Sequence, residues 1–61
     1  MNVYNNVAEI AKKKGMPLRK LESEAGISTG AISKWRTSSP TIDKLQAVAN
    51  VLGVKVDKLL K

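Results

Sequence analysis

The 61-residue sequence lacks cysteine, histidine and phenylalanine altogether, and it contains only five acidic residues. Without cysteine and histidine the chain has no disulfide, no thiol nucleophile, none of the usual zinc ligands and not the commonest general base. The few carboxylates are scattered and suggest no acid–base pair. These absences argue against an enzyme, and we expect no cofactor, no metal and no small-molecule substrate.

Long hydrophobic runs are also missing. The longest apolar stretch, Val48 to Val54, is interrupted by Asn50 and Gly53, and it falls far short of the ~20 residues that span a bilayer. The N-terminal sequence MNVYNNVAEI has neither the basic start nor the apolar core of a secretion signal. A small domain without disulfides fits a reducing compartment, so we expect a soluble, intracellular protein.

Positive charge is what the sequence has in excess. Eleven lysines and arginines stand against five acids, which gives a net charge of +6. Such an excess attracts polyanions, either nucleic acid or an anionic membrane surface, and composition alone does not choose between them. The membrane is the weaker alternative, because the cations are spread over several predicted helices whose apolar faces are needed for a core.

Helical periodicity predicts one domain, residues 1–61, built from five short helices and no strand. Glycines, prolines and hydroxyl side chains mark where these helices start and stop. In chain order the boundary signals are Gly15, Pro17, Gly26, Ser28, Thr41 and Gly53. The last helix is predicted over Val56–Leu60.

The second and third predicted helices, Leu18–Ala25 and Ser28–Arg36, are joined by a tight turn that contains glycine, which is typical of a helix-turn-helix motif. In that motif the second helix enters the DNA major groove. The third predicted helix has Ile32 and Trp35 on an apolar side, expected in the core, and small polar residues with a cation on the other. Gly30 lies near its start at a cost of roughly 1 kcal/mol relative to alanine, and we expect it to permit close approach to DNA.

The stretches GMPLRKLESEAGISTGAISKWR and SSPTIDKLQAVANVLGVKVDKLL, in this order, resemble the five-helix DNA-binding domain of phage repressors and Cro proteins. This is the xenobiotic-response-element type of helix-turn-helix, and the similarity covers essentially the whole chain. It implies an all-α, compact, lambda-repressor-like fold. It also implies a transcription regulator that binds double-stranded DNA as a homodimer, in the cytoplasm of a bacterial or phage-infected cell and associated with the nucleoid.

The resemblance also implies roles for particular residues. The base-reading positions of the family fall on Thr29, Gly30, Ser33 and Lys34. Its phosphate-contacting positions, which set affinity and salt dependence rather than sequence choice, fall on Leu18, Arg19, Ser28, Arg36, Thr37, Ser38, Ser39, Thr41 and Lys44. Its dimer interface falls on Val51, Val54, Lys55, Val56, Leu59 and Leu60.

Several positions depart from the family pattern. Leu18 stands where most members carry a glutamine that braces a phosphate, so only the backbone N–H of Leu18 can make this contact. Pro17 replaces a capping hydroxyl, and Glu22 stands where a small residue is common. Ala11 and Arg36 occupy the positions of a frequent Arg–Glu pair, which is expected to leave Arg36 free to face a phosphate.

The resemblance favours a phage or prophage repressor, or a Cro-like protein, whose segment 28–36 reads a two-fold related operator. The alternative is a protein-interaction module of the same fold, such as an antitoxin or an adaptor. That alternative predicts little binding to any duplex, even at low salt.

Overall fold

The computed structural model describes residues 3–60, and all regular structure in that range is helical. In chain order it contains α1 (Val3–Lys13), α2 (Leu18–Ala25), a 3₁₀ helix (Ile32–Arg36), α3 (Ile42–Leu52) and α4 (Val56–Leu60). The prediction of an all-α fold is confirmed. The prediction of five helices is corrected to four α-helices, because the third predicted helix is a short 3₁₀ helix that begins four residues later than expected.

α4 has the predicted bounds, and α2 and α3 begin and end at the residues that the sequence signals marked. α2 begins directly after Pro17 and ends before Gly26, whose φ of 74° lies in the left-handed region that favours glycine. α3 begins after Thr41, whose Oγ1 accepts a hydrogen bond from the N–H of Lys44 at 3.4 Å, and it ends before Gly53. These signals are local, so they could be read correctly without the tertiary structure.

The third predicted helix differs because its first residues form a turn. Gly30 has a φ of 88°, outside the helical region, and the N–H of Ala31 donates to the carbonyl oxygen of Ser28 at 3.0 Å. The residue before the 3₁₀ helix that follows is Ala31, which makes no side-chain cap, so the prediction of Ser28 as a helix cap is wrong. Gly30 is therefore not a glycine in a helix interior, and its positive φ is the reason that glycine suits this turn.

Apolar residues from all five elements meet in one core. Its members are Val7, Ala11, Leu21, Ile32, Trp35, Leu45, Val48, Ala49, Leu52 and Leu59. The predicted core position of Trp35 is confirmed, since its side chain is buried. Asn6 Nδ2 donates to the carbonyl oxygen of Leu59 at 2.9 Å, which ties α1 to α4.

The position of Leu59 corrects one part of the predicted dimer interface. Its exposed fraction is 0%, so its side chain completes the core of its own chain and is not accessible to a second copy.

Within residues 3–60 none of the helices combines the length and apolar character needed to cross a membrane.

Candidate nucleic-acid interface

A groove runs between the turn 28–31, the 3₁₀ helix and the start of α3. It is lined by Ser28, Ala31, Lys34, Trp35, Ser38, Ser39, Pro40, Thr41 and Lys44. The polar members were all predicted to contact DNA, either its phosphates or, for Lys34, its bases. The fold therefore brings together residues that are separated by up to 16 positions in the sequence, from Ser28 to Lys44.

The groove presents hydrogen-bond donors and positive charge. Lys34 and Lys44 are exposed, and within residues 3–60 neither of them forms an ion pair with a carboxylate. α3 starts at this groove, so its first N–H groups lack partners within the helix and its N-terminus carries a partial positive charge. Hydroxyls, ammonium groups and a helix N-terminus in one place are suited to bind phosphate oxygens.

A second groove lies on the α2 side of the turn 28–31. It is lined by Pro17, Arg19, Lys20, Ser23 and Thr29. Here a predicted phosphate-contacting residue, Arg19, shares a surface with a predicted base-reading residue, Thr29. Lys20 Nζ lies 3.9 Å from Glu24 Oε2 in an exposed i,i+4 pair, which partly neutralises this lysine.

The other residues predicted to contact DNA differ in exposure and in the direction of their side chains. Ser33 is exposed on the 3₁₀ helix, whereas Gly30 is half-buried. Leu18 is half-buried and packs against the core, so its side chain does not point into either groove. Any contact from Leu18 to a phosphate must come from its backbone N–H, at the start of α2, where Pro17 supplies no side-chain cap.

Arg36 and Thr37 lie outside the first groove, in a neighbouring depression that also contains Val3 and borders the groove at Trp35 and the loop 38–40. Arg36 Nη2 donates to Tyr4 Oη at 3.0 Å, and Arg36 Cζ lies 4.6 Å from the centre of the Tyr4 ring. The expectation that Arg36 is free is therefore wrong, because it is stacked on an aromatic ring. Sequence reasoning missed Tyr4, which is separated from Arg36 by 32 positions.

Sequence reasoning also noticed Glu22 only as a departure and missed what it does. Its side chain is buried, with 4% exposed. Oε1 accepts a hydrogen bond from the N–H of Gly30 at 2.9 Å, and Oε2 accepts one from the N–H of Ile32 at 3.0 Å. The one available signal was its place beside Leu21, next to the apolar face of α2, where a charged residue needs a partner.

The comparison with protein families agrees with this arrangement. The profile of the helix-turn-helix family, of Cro/C1 type, matches residues 7–59, which is most of the chain. A search of curated proteins finds no significant match. The family consists of DNA-binding regulatory domains and is not an enzymatic one. The chain therefore belongs to the Cro/C1-type helix-turn-helix family of DNA-binding transcription regulators.

Proposed function

We propose that this protein is a sequence-specific regulator of phage or prophage transcription, a repressor or a Cro-like protein, with residues 28–36 in the DNA major groove. The observation that carries the proposal is the groove in which Lys34 lies with Ser28, Ser38, Ser39, Thr41 and Lys44. A DNA duplex presents base edges flanked by phosphates, and this groove places one candidate base-reading cation among candidate phosphate ligands.

Within this proposal the residues divide into two roles. Lys34 donates to guanine O6 or N7 from the first groove, while Thr29, which lines the second groove, and exposed Ser33 contact base edges. The side chains of Ser38, Ser39 and Lys44, with the start of α3, hold one strand of the backbone. Arg19 at the second groove holds another part of the backbone, so the turn 28–31 lies between two phosphate-binding surfaces.

We also propose that the protein binds as a homodimer to a two-fold related operator. Val51, Val54, Val56 and Leu60 are half-buried, and Lys55 is exposed, so this surface of α3 and α4 has apolar groups for a second copy. The domain measures 23 × 21 × 17 Å between its Cα atoms. Two copies therefore fit side by side on half-sites separated by one helical turn of DNA, about 34 Å.

The experiment that tests the proposal is selection from a random duplex library with the 61-residue chain, followed by sequencing of the bound fraction at two salt concentrations. The expected result is a two-fold symmetric motif that survives the higher salt, because base contacts are less sensitive to salt than phosphate contacts. The spacing between the half-sites then reports the geometry of the dimer.

Two other outcomes would contradict the proposal. Uniform retention of all duplexes that disappears at the higher salt would indicate binding by positive charge alone, without sequence preference. No retention at low salt would favour the protein-interaction module, and the search for a partner would then turn to proteins. A selective but asymmetric motif would contradict only the homodimer.

A further inference from the structure

Among the residues that the structure describes, Glu22 is the one charged residue that is buried. It projects from the middle of α2 and reaches two backbone N–H groups that are eight and ten positions later in the sequence, those of Gly30 and Ile32. Both carboxylate oxygens are used, one for each N–H. An ionised carboxylate out of contact with water is costly unless hydrogen bonds replace its hydration, and these two bonds do so.

These N–H groups lie in the turn 28–31 and at the first residue of the 3₁₀ helix, where backbone donors have no partner within the helix. The N–H between them, that of Ala31, donates to the carbonyl oxygen of Ser28. Three successive N–H groups are thus occupied by acceptors of the chain itself. A DNA phosphate that approached this start would find these donors in use and a negative charge directly behind them.

We infer that Glu22 is a positioning residue for sequence recognition, an inference that rests on the DNA-binding function proposed above. The carboxylate fixes the turn 28–31 and the first residue of the 3₁₀ helix against α2. It thereby sets where Thr29, Ser33 and Lys34 lie relative to the α2 surface that carries Arg19. The same negative charge opposes phosphates at this point, so Glu22 raises the preference for the operator over other duplexes rather than the general affinity for DNA.

The test compares Glu22→Gln with Glu24→Gln. Both changes remove one negative charge from α2, but Glu24 is exposed and, within residues 3–60, its ion pair is with Lys20. In Glu22→Gln the amide oxygen can accept from one N–H, while the amide nitrogen, a donor, faces the other. We expect the ratio of dissociation constants for random and selected duplexes to fall about tenfold, close to the lower limit for one hydrogen bond to a charged group.

Affinity for random duplex separates positioning from a purely structural role. In Glu22→Gln it is expected to stay equal or to increase, because a negative charge near the phosphates is lost. Glu24→Gln is expected to show the same small increase with an unchanged ratio. A parallel loss of affinity for both duplexes in Glu22→Gln, or an unchanged ratio of the two dissociation constants, would overturn the inference. The proposed function would still stand in that case, provided that the unaltered chain binds selectively.

Amide hydrogen exchange in the unaltered chain provides a second measurement, which does not require any variant to fold. The N–H groups of Gly30 and Ile32 are expected to exchange more slowly than that of exposed Thr29, both in the free protein and on the selected duplex. Fast exchange at Gly30 and Ile32 in the free protein would overturn the inference. Absence of any selective binding by the unaltered chain would overturn the inference and the proposed function together.

Discussion

Two helical elements begin at the same groove, and their starts are constructed in opposite ways. The 3₁₀ helix begins with Ile32, which is 0% exposed, and its backbone donor is bonded to the buried carboxylate of Glu22. α3 begins with Ile42, which is 65% exposed, and its cap is a long hydrogen bond of 3.4 Å that the N–H of Lys44 donates to Thr41 Oγ1. The first start is part of the core and determines shape, whereas the second is open to solvent and to a ligand.

The largest difference between the two starts is expected from Ile32→Asp and Ile42→Asp. A carboxylate at position 32 would be buried near Glu22 without a partner, at a cost of several kcal/mol. This cost exceeds the free energy of unfolding of about a few kcal/mol that we expect of so small a domain. We expect Ile32→Asp to unfold the chain, as measured by circular dichroism.

Ile42→Asp is the matched control for that substitution. An acid in the first turn of a helix is favourable to the helix dipole, so the fold and the thermal midpoint should change little. The same acid would lie where we propose phosphates bind, and DNA affinity should fall. A native spectrum for Ile32→Asp would contradict the closed character of the first start, and undiminished DNA binding by Ile42→Asp would contradict the open character of the second.

The next largest effect is expected on DNA binding, from Lys34→Ala and Lys44→Ala. Lys34 lies on the 3₁₀ helix, so its loss should relax base preference at one position per half-site by about 1–3 kcal/mol. Lys44 lies in the first turn of α3, so its loss should weaken binding to all duplexes alike and reduce the salt slope by about one for each bound copy.

Binding isotherms on the selected duplex and its single-base variants, at several salt concentrations, measure both changes. Lys13→Ala, which removes an exposed cation paired with Glu9 on α1, is the control for general charge. Loss of base preference in Lys44→Ala would contradict its proposed role as a phosphate contact. An equal loss of affinity for all duplexes in Lys34→Ala would contradict its proposed role in base recognition.

A smaller effect is expected from Gly30→Ala, in the turn that leads into the first start. Apart from Gly30 and its two chain neighbours, no described residue has a heavy atom within 4 Å of the position that a Cβ would occupy, but φ is 88°, so the cost is backbone strain of about 1–2 kcal/mol. Thermal unfolding should show a midpoint lower by about 4–8 °C for each kcal/mol. Gly30→Asn should lose less, because asparagine tolerates positive φ better than alanine. Equal midpoints for Gly30→Ala and the unaltered chain would mean that the turn does not require this φ.

The smallest effect is expected from Thr41→Ala at the second start. Loss of a capping side chain costs about 0.5–2 kcal/mol, and the length of the hydrogen bond to Lys44 places this cap near the lower limit. Thr41→Ser retains the hydroxyl and serves as the control in the same thermal unfolding measurement. A fall in the thermal midpoint as large as that of Gly30→Ala would show that the Thr41 cap stabilises the start of α3 more than the exposure of this segment suggests.

Much of the fold follows from short-range signals. The boundaries of α2 and α4 agree with the prediction, and Thr41 and Gly53 delimit α3 as expected. Trp35 lies in the core, as the apolar spacing indicated. These features depend on interactions between residues within a few positions of each other, and the order of residues specifies such interactions directly.

The candidate site was only partly predictable for the same reason. The resemblance predicted DNA contacts for the polar residues of the groove and for others outside it, but Arg36 was expected to be free and is stacked on Tyr4, 32 positions away. Leu59 was assigned to a dimer surface, although it is buried. An amphipathic pattern indicates that one face of a short helix is apolar, but it does not say whether a given apolar residue meets its own core or a second chain.

The sequence by itself determined the helical class, most helix boundaries and the excess of positive charge, because periodicity, capping and composition are properties of neighbouring residues. Only the tertiary structure decided the shape of the segment 28–36, which we propose enters the DNA major groove. Glu22 reaches across to the N–H groups of Gly30 and Ile32, and together with the positive φ of Gly30 this replaces the first turn of an expected α-helix by a turn and a 3₁₀ helix. That choice depends on the packing of α2 against the segment that follows it, which no local pattern encodes.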